Sequence, residues 1–260
     1  MACRLGEAQV ARPRLYRTEA VVLKRTDFGE ADKIITLYTP HLGKLRAVAK
    51  GVRRPTSKLG GHVELFTHSQ MLLAKGRQLD IVTQSETIHS YRPLREDLTR
   101  IALACYAAEM LDKLMEDGVE SYPVFELLLH TLERLATAAD PELALRLYEV
   151  MLLGFVGFRP ELHHCLNCRA LLVPAGNFFS AVEGGVLCPQ CGRSAPNARP
   201  LSTNAFKLLR LFQRGDYALV SRLRVSDALR QEVGGALKEY TQYTVERELK
   251  SSAILGSLRA

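Results

Sequence analysis

Tryptophan is absent from the 260 residues, and aromatic residues make up only 7% of them. Long apolar runs are absent too. The longest, near Met151–Phe158, falls far short of the ~20 residues a membrane-spanning helix requires. The opening MACRLGEAQVARPRLYR has no apolar core of the kind a secretory signal carries, so an intracellular, reducing setting is the expectation. Common catalytic signatures are missing as well. No G-x-x-x-x-G-K-[ST] occurs, which excludes a phosphate-cradling P-loop, and neither G-x-S-x-G nor G-x-G-x-x-G is found. The seven histidines are scattered, with no neighbours that would make a nucleophile–base pair. His41 and His62 fall near loops and read as solvated. These absences point away from an enzyme.

The charge is unevenly placed. The chain carries a net charge of +7. Residues 1–60 hold 13 Lys/Arg against 5 Asp/Glu, a net of +8, whereas residues 61–260 hold 22 against 23, a net of −1. A concentrated excess is the footprint expected for a polyanionic partner, although a solvated basic face has the same composition.

The first 90 residues alternate as strands do. YRTEAVVLKR reads as a first strand ending in a polar loop, Thr26–Asp32. DKIITLYT, a turn at Pro40–Gly43, and KLRAVAK follow. GHVELFTHSQMLLAKG and RQLDIVTQSETI supply two more strands, joined near Lys75–Arg77. Five strands in about 80 residues suit a small barrel of the OB type. In residues 44–50, alternation puts Lys44, Arg46, Val48 and Lys50 on one face and Leu45, Ala47 and Ala49 on the other. The small apolar face suits a tight interior. The cationic face continues into Arg53, Arg54 and Lys58.

After Tyr91 the period changes to that of helices. Leu94, Leu98, Ile101, Cys105, Ala108, Leu111 and Met115 form one stripe, with Cys105 read as a core residue. Phe125, Leu128, Leu129, Leu132 and Leu135 form a second. Asp140-Pro141 is an N-cap and first-turn proline for a third helix, with stripe Leu143, Leu147, Val150 and Met151. Two more helices are expected at Thr203–Arg214, closed by Gly215, and at Ser226–Lys250. The face of the last carries Leu229, Val233, Ala236, Tyr240 and Tyr243, and Gly234-Gly235 weakens it locally.

Between these helices lies the most specific motif. Cys165 and Cys168 with Cys188 and Cys191 make C-x2-C-x19-C-x2-C. Each pair can fold as a tight turn offering two thiolates to one point, and two turns complete a tetrahedral zinc site. Gly192 is the residue a knuckle needing positive φ would favour. Four sulfurs leave no place for water, so a structural ion is expected. His163 and His164 read as polar residues on the exit from a helix. The surroundings match neither a zinc deaminase, which needs an H-x-E ahead of P-C-x-x-C, nor a thioredoxin-like site, which needs a single C-x-x-C in a βαβ unit.

This order, with VVLKRTDFGEADKIITLYTPHLGKLRAVAKGVRRPTSKLGG and FSAVEGGVLC, resembles the bacterial RecO DNA repair and recombination mediators. The resemblance runs from about Tyr16 to the last helix. It implies an α+β chain with a flexible extension over 1–15, where Cys3 lies, and an OB-fold β-barrel over 16–91. A helical domain over 92–159 and 197–260 would then carry a zinc-binding insertion over 160–196. It further implies a non-catalytic cytoplasmic protein, associated with the nucleoid. Such a protein binds single- and double-stranded DNA and anneals complementary strands. Acting with RecR, it helps load RecA onto DNA coated by single-strand-binding protein, whose C-terminal tail it contacts. The residues expected to meet DNA are Lys24, Arg25, Lys33, Lys44, Arg46, Lys50, Arg53, Arg54, Lys58 and Arg77. A backbone-binding surface of this kind is weakly sequence-dependent and salt-sensitive, and few aromatics (Tyr16, Phe28, Tyr38) accompany it, so stacking is expected to be a lesser term. The alternative is a zinc-stabilised scaffold whose basic barrel docks an acidic partner.

Overall fold

A computed structural model describes residues 14–245. The chain divides after Ser90 into two compact units. It is of mixed α+β class, strands first and helices after.

The first unit holds β1 (Leu15–Phe28), β2 (Asp32–Thr39), β3 (Gly43–Ala49), a 3-10 turn at Gly60–Val63, β4 (His68–Ala74) and β5 (Asp80–His89). The pairing order is β1-β2-β3-β5-β4, and β4 pairs again with β1, so the ladders close into a barrel. Only the β3–β5 contact is parallel, and it spans two residue pairs. The interior is packed with small and branched side chains, among them Ala20, Val22, Ile35, Leu37, Leu45, Ala47, Ala49, Met71 and Leu73. The alternation read in residues 44–50 holds in part: Leu45, Ala47 and Ala49 are buried and Arg46 and Lys50 are exposed, but Val48, expected on the outer face, is buried as well.

Two strand boundaries differ from expectation. The first strand runs on to Phe28, because Asp27↔Lys33 and Phe28↔Asp32 continue the β1–β2 ladder and only residues 29–31 turn. The stretch beginning at Gly61 is a strand only from His68. Before it, Phe66 sits at a φ of 66° and donates its N–H to Val22 O at 2.8 Å, closing a bulge in β1 rather than extending β4.

The second unit starts with α1 (Pro93–Glu96) and α2 (Leu98–Leu114). The single stripe from Leu94 to Met115 is broken, because Asp97 turns extended and caps α2 by accepting from Arg100 N at 2.8 Å. Next come α3 (Tyr122–Thr137) and α4 (Pro141–Phe155). The expected cap is present, with Asp140 Oδ1 accepting from Leu143 N. Three short strands and a one-turn helix form the cysteine region: β6 (Phe178–Ser180), β7 (Gly185–Leu187), α5 (Pro189–Arg193) and β8 (Arg199–Pro200). The sheet order is β7-β6-β8. The chain then forms α6 (Thr203–Gln213), closed by Gly215, followed by α7 (Tyr217–Val220) and α8 (Asp227–Val245). Residues 246–250 of the expected last helix lie outside the described residues. The two adjacent glycines do not interrupt α8. Its buried face is Val233, Leu237, Tyr240 and Thr241, rotated from the expected Ala236 and Tyr243, because Tyr243 stays exposed.

Helix α4 is surrounded by neighbours. Residues from Leu143 to Leu153 are buried on nearly every side, and α2, α3, α6, α7 and α8 all pack on it. This environment encloses an ion pair, Arg146 with Glu149, whose carboxylate is 0% exposed. Arg146 Nη1 reaches both carboxylate oxygens at 2.6 Å. Burial works against the guanidinium charge, but Glu149, with Tyr106 and Glu142 adding to it, more than offsets this and raises the Arg146 pKa above its ordinary value. Glu149→Ala would strand that charge. It is expected to cost about 3–5 kcal/mol in urea unfolding of the helical unit, while a paired Arg146→Met and Glu149→Leu replacement recovers most of the loss.

Candidate functional site

The metal-ligating cluster is built by two turns. In the first, Cys165 N donates to Ala170 O at 2.8 Å and Leu172 N to His163 O at 2.8 Å, so residues 163–172 fold back as a tight loop. Arg169, just after Cys168, takes the left-handed conformation at a φ of 62°. In the second, Cys188 caps α5, and Gly192 N donates to Cys188 O at 2.8 Å. Gly192 is helical, which corrects the reason expected for it. It is glycine because a Cβ there would lie 2.4 Å from the ring of Phe178. The two turns are tied together by Leu166 N to Val186 O and Val186 N to Glu161 O.

The Sγ atoms of Cys165, Cys168, Cys188 and Cys191 all lie within 4.8 Å of one another. Cys168 and Cys188 are 3.8 Å apart, which is the edge of a tetrahedron with sulfur at about 2.3 Å from a central zinc. The cluster is therefore close enough to hold one metal ion, and its donor set fits zinc. Burial alone would raise the Cys165 thiol, but backbone N–H groups of Cys188, Cys168 and Asn167 point at its sulfur and bring it down to about 6. Cys191 is pushed up to about 12, chiefly by its hydrogen bond with Cys188, then by burial and by Cys168 and Cys165. A thiolate there would face other sulfurs, a repulsion that a central cation reverses. His163 and His164 stay outside the cluster. Their backbone N–H groups donate to Glu161 Oε1 at 2.6 and 3.0 Å.

The cations of the first unit fall into distinct positions. Lys24 pairs with Thr36, and Thr36 with Arg46, so these three side chains form one row across β1, β2 and β3. Lys24 and Arg46 are exposed, and Thr36 between them is only 8% exposed. Half-exposed Lys44 continues the same face of β3, and exposed Lys50 lies in the turn directly after it. Arg53, Arg54 and Lys58 are exposed in the loop after it, and Arg77 in the loop between β4 and β5. Among the described residues, Lys24, Arg46, Lys50, Arg54, Lys58 and Arg77 take part in no ion pair.

Arg25 and Lys33 are placed differently. A shift in the β1 register between Val22 and Lys24 puts Arg25 opposite inward-facing Ile35, and its guanidinium pairs with Glu64. Lys33 lies opposite Ala49 and pairs with Asp27. The bond from Lys33, against burial and with Arg53 adding to it, holds the Asp27 carboxyl below its ordinary range. Phe28, on the same face as Lys24, was not singled out by sequence. Carrying the strand two residues past Thr26 would have placed it there.

Two family models account for most of the chain: Recombination protein O N terminal over residues 14–91, and Recombination protein O C terminal over residues 95–253. The chain is also similar to curated proteins named DNA repair protein RecO. The one from Roseiflexus sp. is 46% identical over 248 residues, covering 95% of this chain and 87% of the relative. That from Symbiobacterium thermophilum is 39% identical, covering 95% and 98%, and that from Dehalococcoides mccartyi (strain BAV1) is 37% identical, covering 96% and 98%. With both family models matched in order and relatives aligned along nearly their full length, the chain belongs to the RecO family of DNA repair proteins.

Proposed function

We propose that this chain is a DNA-binding recombination mediator. On this reading the first unit is an OB-fold domain over 16–91, and its outer face holds the phosphates of single- and double-stranded DNA. The helical domain spans 92–159 and 197–260, with the metal module at 160–196. The protein anneals complementary strands and, with RecR, helps load RecA onto DNA coated by single-strand-binding protein, whose tail it contacts. It makes and breaks no covalent bond, and it works in the cytoplasm at the nucleoid. No helix of the described residues is long and apolar enough to cross a membrane.

The observation that carries this reading is the Lys24–Thr36–Arg46 row, extended along β3 by Lys44 and into the turn and loop after it by Lys50, Arg54 and Lys58. Lys44 and Arg46 are two residues apart, about 7 Å along β3. Cations at such spacing neutralise successive phosphates and release counterions, and they leave the bases free to pair with a second strand. The Lys24→Ala/Arg46→Ala double variant is expected to bind single-stranded DNA more weakly. Its log K against log salt slope should be shallower by about 0.7 per cation removed, measured by fluorescence anisotropy. Unchanged affinity and slope at all salt concentrations would point instead to a surface that docks an acidic protein, or to another face.

The four cysteines are proposed to hold one zinc ion with a structural role. Bound there, zinc supplies a cross-link between the two turns, and Cys165, Cys168, Cys188 and Cys191 fill its coordination sphere. Purified protein is expected to contain one zinc per chain by elemental analysis. Cys165→Ser and Cys188→Ser should lower that content and make residues 160–196 susceptible to limited proteolysis, since a structural zinc site contributes on the order of 10 kcal/mol to local folding. Strand annealing by the first unit should survive. Loss of zinc with unchanged protease resistance would remove the structural role.

A further inference from the structure

Phe28 is 50% exposed at the end of β1, where the strand meets the β1–β2 turn. Among the described residues of the first unit, no other Phe or Tyr is exposed. Tyr38 and Phe66 are buried, and half-buried Tyr16 is tied through its hydroxyl to Asp80. The register fixes which way Phe28 faces. Rows Lys24–Thr36–Arg46 and Thr26–Ile34–Val48 lie on the outer side, and Phe28–Asp32 is the next row on that side. Phe28 thus stands four residues from Lys24, about 13 Å along the same face.

The hairpin tip that carries the ring mixes charges, with Asp27, Glu30 and Asp32 beside Lys33, and it is held in place by the loop after β3. Gly51 N donates to Asp32 Oδ1 at 2.7 Å, and Arg53 N donates to Ala31 O at 2.9 Å. Arg53 also lies 3.6 Å from Asp27. These contacts fasten the loop carrying Arg53 and Arg54 to the hairpin tip carrying Phe28. Burying Phe28 in the barrel would have been favourable by about 1.5–3 kcal/mol, yet the ring remains half in water. An exposed aromatic at the end of a row of phosphate-binding cations is the arrangement by which single strands are held: charge follows the backbone, and a ring takes a base.

We infer that Phe28 is a stacking platform for one unpaired nucleobase of single-stranded DNA, at the end of the cationic row. This rests on the reading of that face as the DNA-binding surface. Phosphate contacts alone do not discriminate a single strand from a duplex by the state of its bases. A stacking residue does, because the bases of a duplex are already stacked on one another. The ring thereby gives the surface a preference for unpaired DNA that is lost as strands pair.

The absence of tryptophan makes the test direct. Phe28→Trp supplies the chain's sole indole, and its emission is expected to be quenched by oligothymidylate but not by a strand of abasic deoxyribose phosphates of equal length. Phe28→Ala is expected to weaken oligothymidylate binding roughly 5- to 140-fold, the equivalent of about 1–3 kcal/mol. Duplex affinity and the salt slope should stay unchanged. Phe28→Ala binding equal to wild type, or an equal loss on single strand and duplex, would overturn the stacking role. Lys24→Ala and Arg46→Ala measured alongside separate the two readings. If they weaken DNA binding while Phe28→Ala does not, the DNA-binding face stands without the platform. If none of the three weakens it, the face itself is wrong.

Discussion

Closure of the first sheet is the constraint on which the placement of charge depends. Once β4 returns to pair with β1, each strand residue is either inside a narrow interior or outside it. An interior that buries Ala20, Ala47 and Ala49 completely among branched side chains has no room to hydrate an ammonium or guanidinium group. An unpaired charge there would cost several kcal/mol. The cations that alternate with these alanines are therefore driven to the outer face, and they arrive as a row because the ladders set them side by side. Arg25 shows the same rule from the other side: on an inward-facing register it is found with a carboxylate, Glu64.

The cysteine region obeys a different constraint. Strands of three, three and two residues cannot bury enough apolar area to offset the entropy of ordering some forty residues. The region borrows stability from its neighbours. Arg210 on α6 donates to Leu162 O and Leu172 O, Gln213 donates to Pro160 O, and Glu232 on α8 accepts from Ser202 N and Oγ. The Arg210 and Gln213 bonds hold the ends of the first cysteine turn from outside, and the Glu232 bonds fix the start of α6 just beyond the module. Within the module, the backbone N–H groups aimed at Cys165 favour a thiolate before any cation arrives. Cys191 is held protonated by its sulfur neighbours in the absence of a cation, so the four-thiolate set is completed only by the ion it would hold, in line with a role in fixing geometry rather than in activating water.

Signals that are local in the chain were legible in the sequence, and those that depend on distant pairing were not. C-x2-C twice over identifies its four residues because each turn is complete within four positions. The inward set Leu45, Ala47 and Ala49 was readable for the same reason, as was the Asp140-Pro141 cap, whereas the burial of Val48 on the other face was not. The bulge between Val22 and Lys24 was not readable. It arises from Val22 bonding to Phe66 and Thr67, over forty residues away, and it decides that Lys24 faces out while Arg25 faces in. The Arg146–Glu149 pair was hidden by its spacing: three residues apart on a helix, the two look like a solvated pair, and only the packing of five helices around α4 shows them buried. Gly192 was recognised as necessary for the wrong reason, because nothing local announces that Phe178 lies against it.

The scarcity of aromatics has a physical meaning on the proposed reading. A protein that holds single strands only to protect them gains by stacking many bases, since each adds ~1–3 kcal/mol. A protein that hands a strand to a complement must give that energy back when the bases pair. Binding dominated by phosphate contacts avoids this cost, because both strands of the product keep their phosphates and the surface can hold them throughout. One exposed ring among several cations is a compromise between the two demands. It favours unpaired DNA on arrival, yet the ~1–3 kcal/mol for releasing a single base is offset once one to three base-pair steps form at ~1.4 kcal/mol each. The direction of transfer is then set by pairing itself, with no need for a bound nucleotide or a covalent step to drive it.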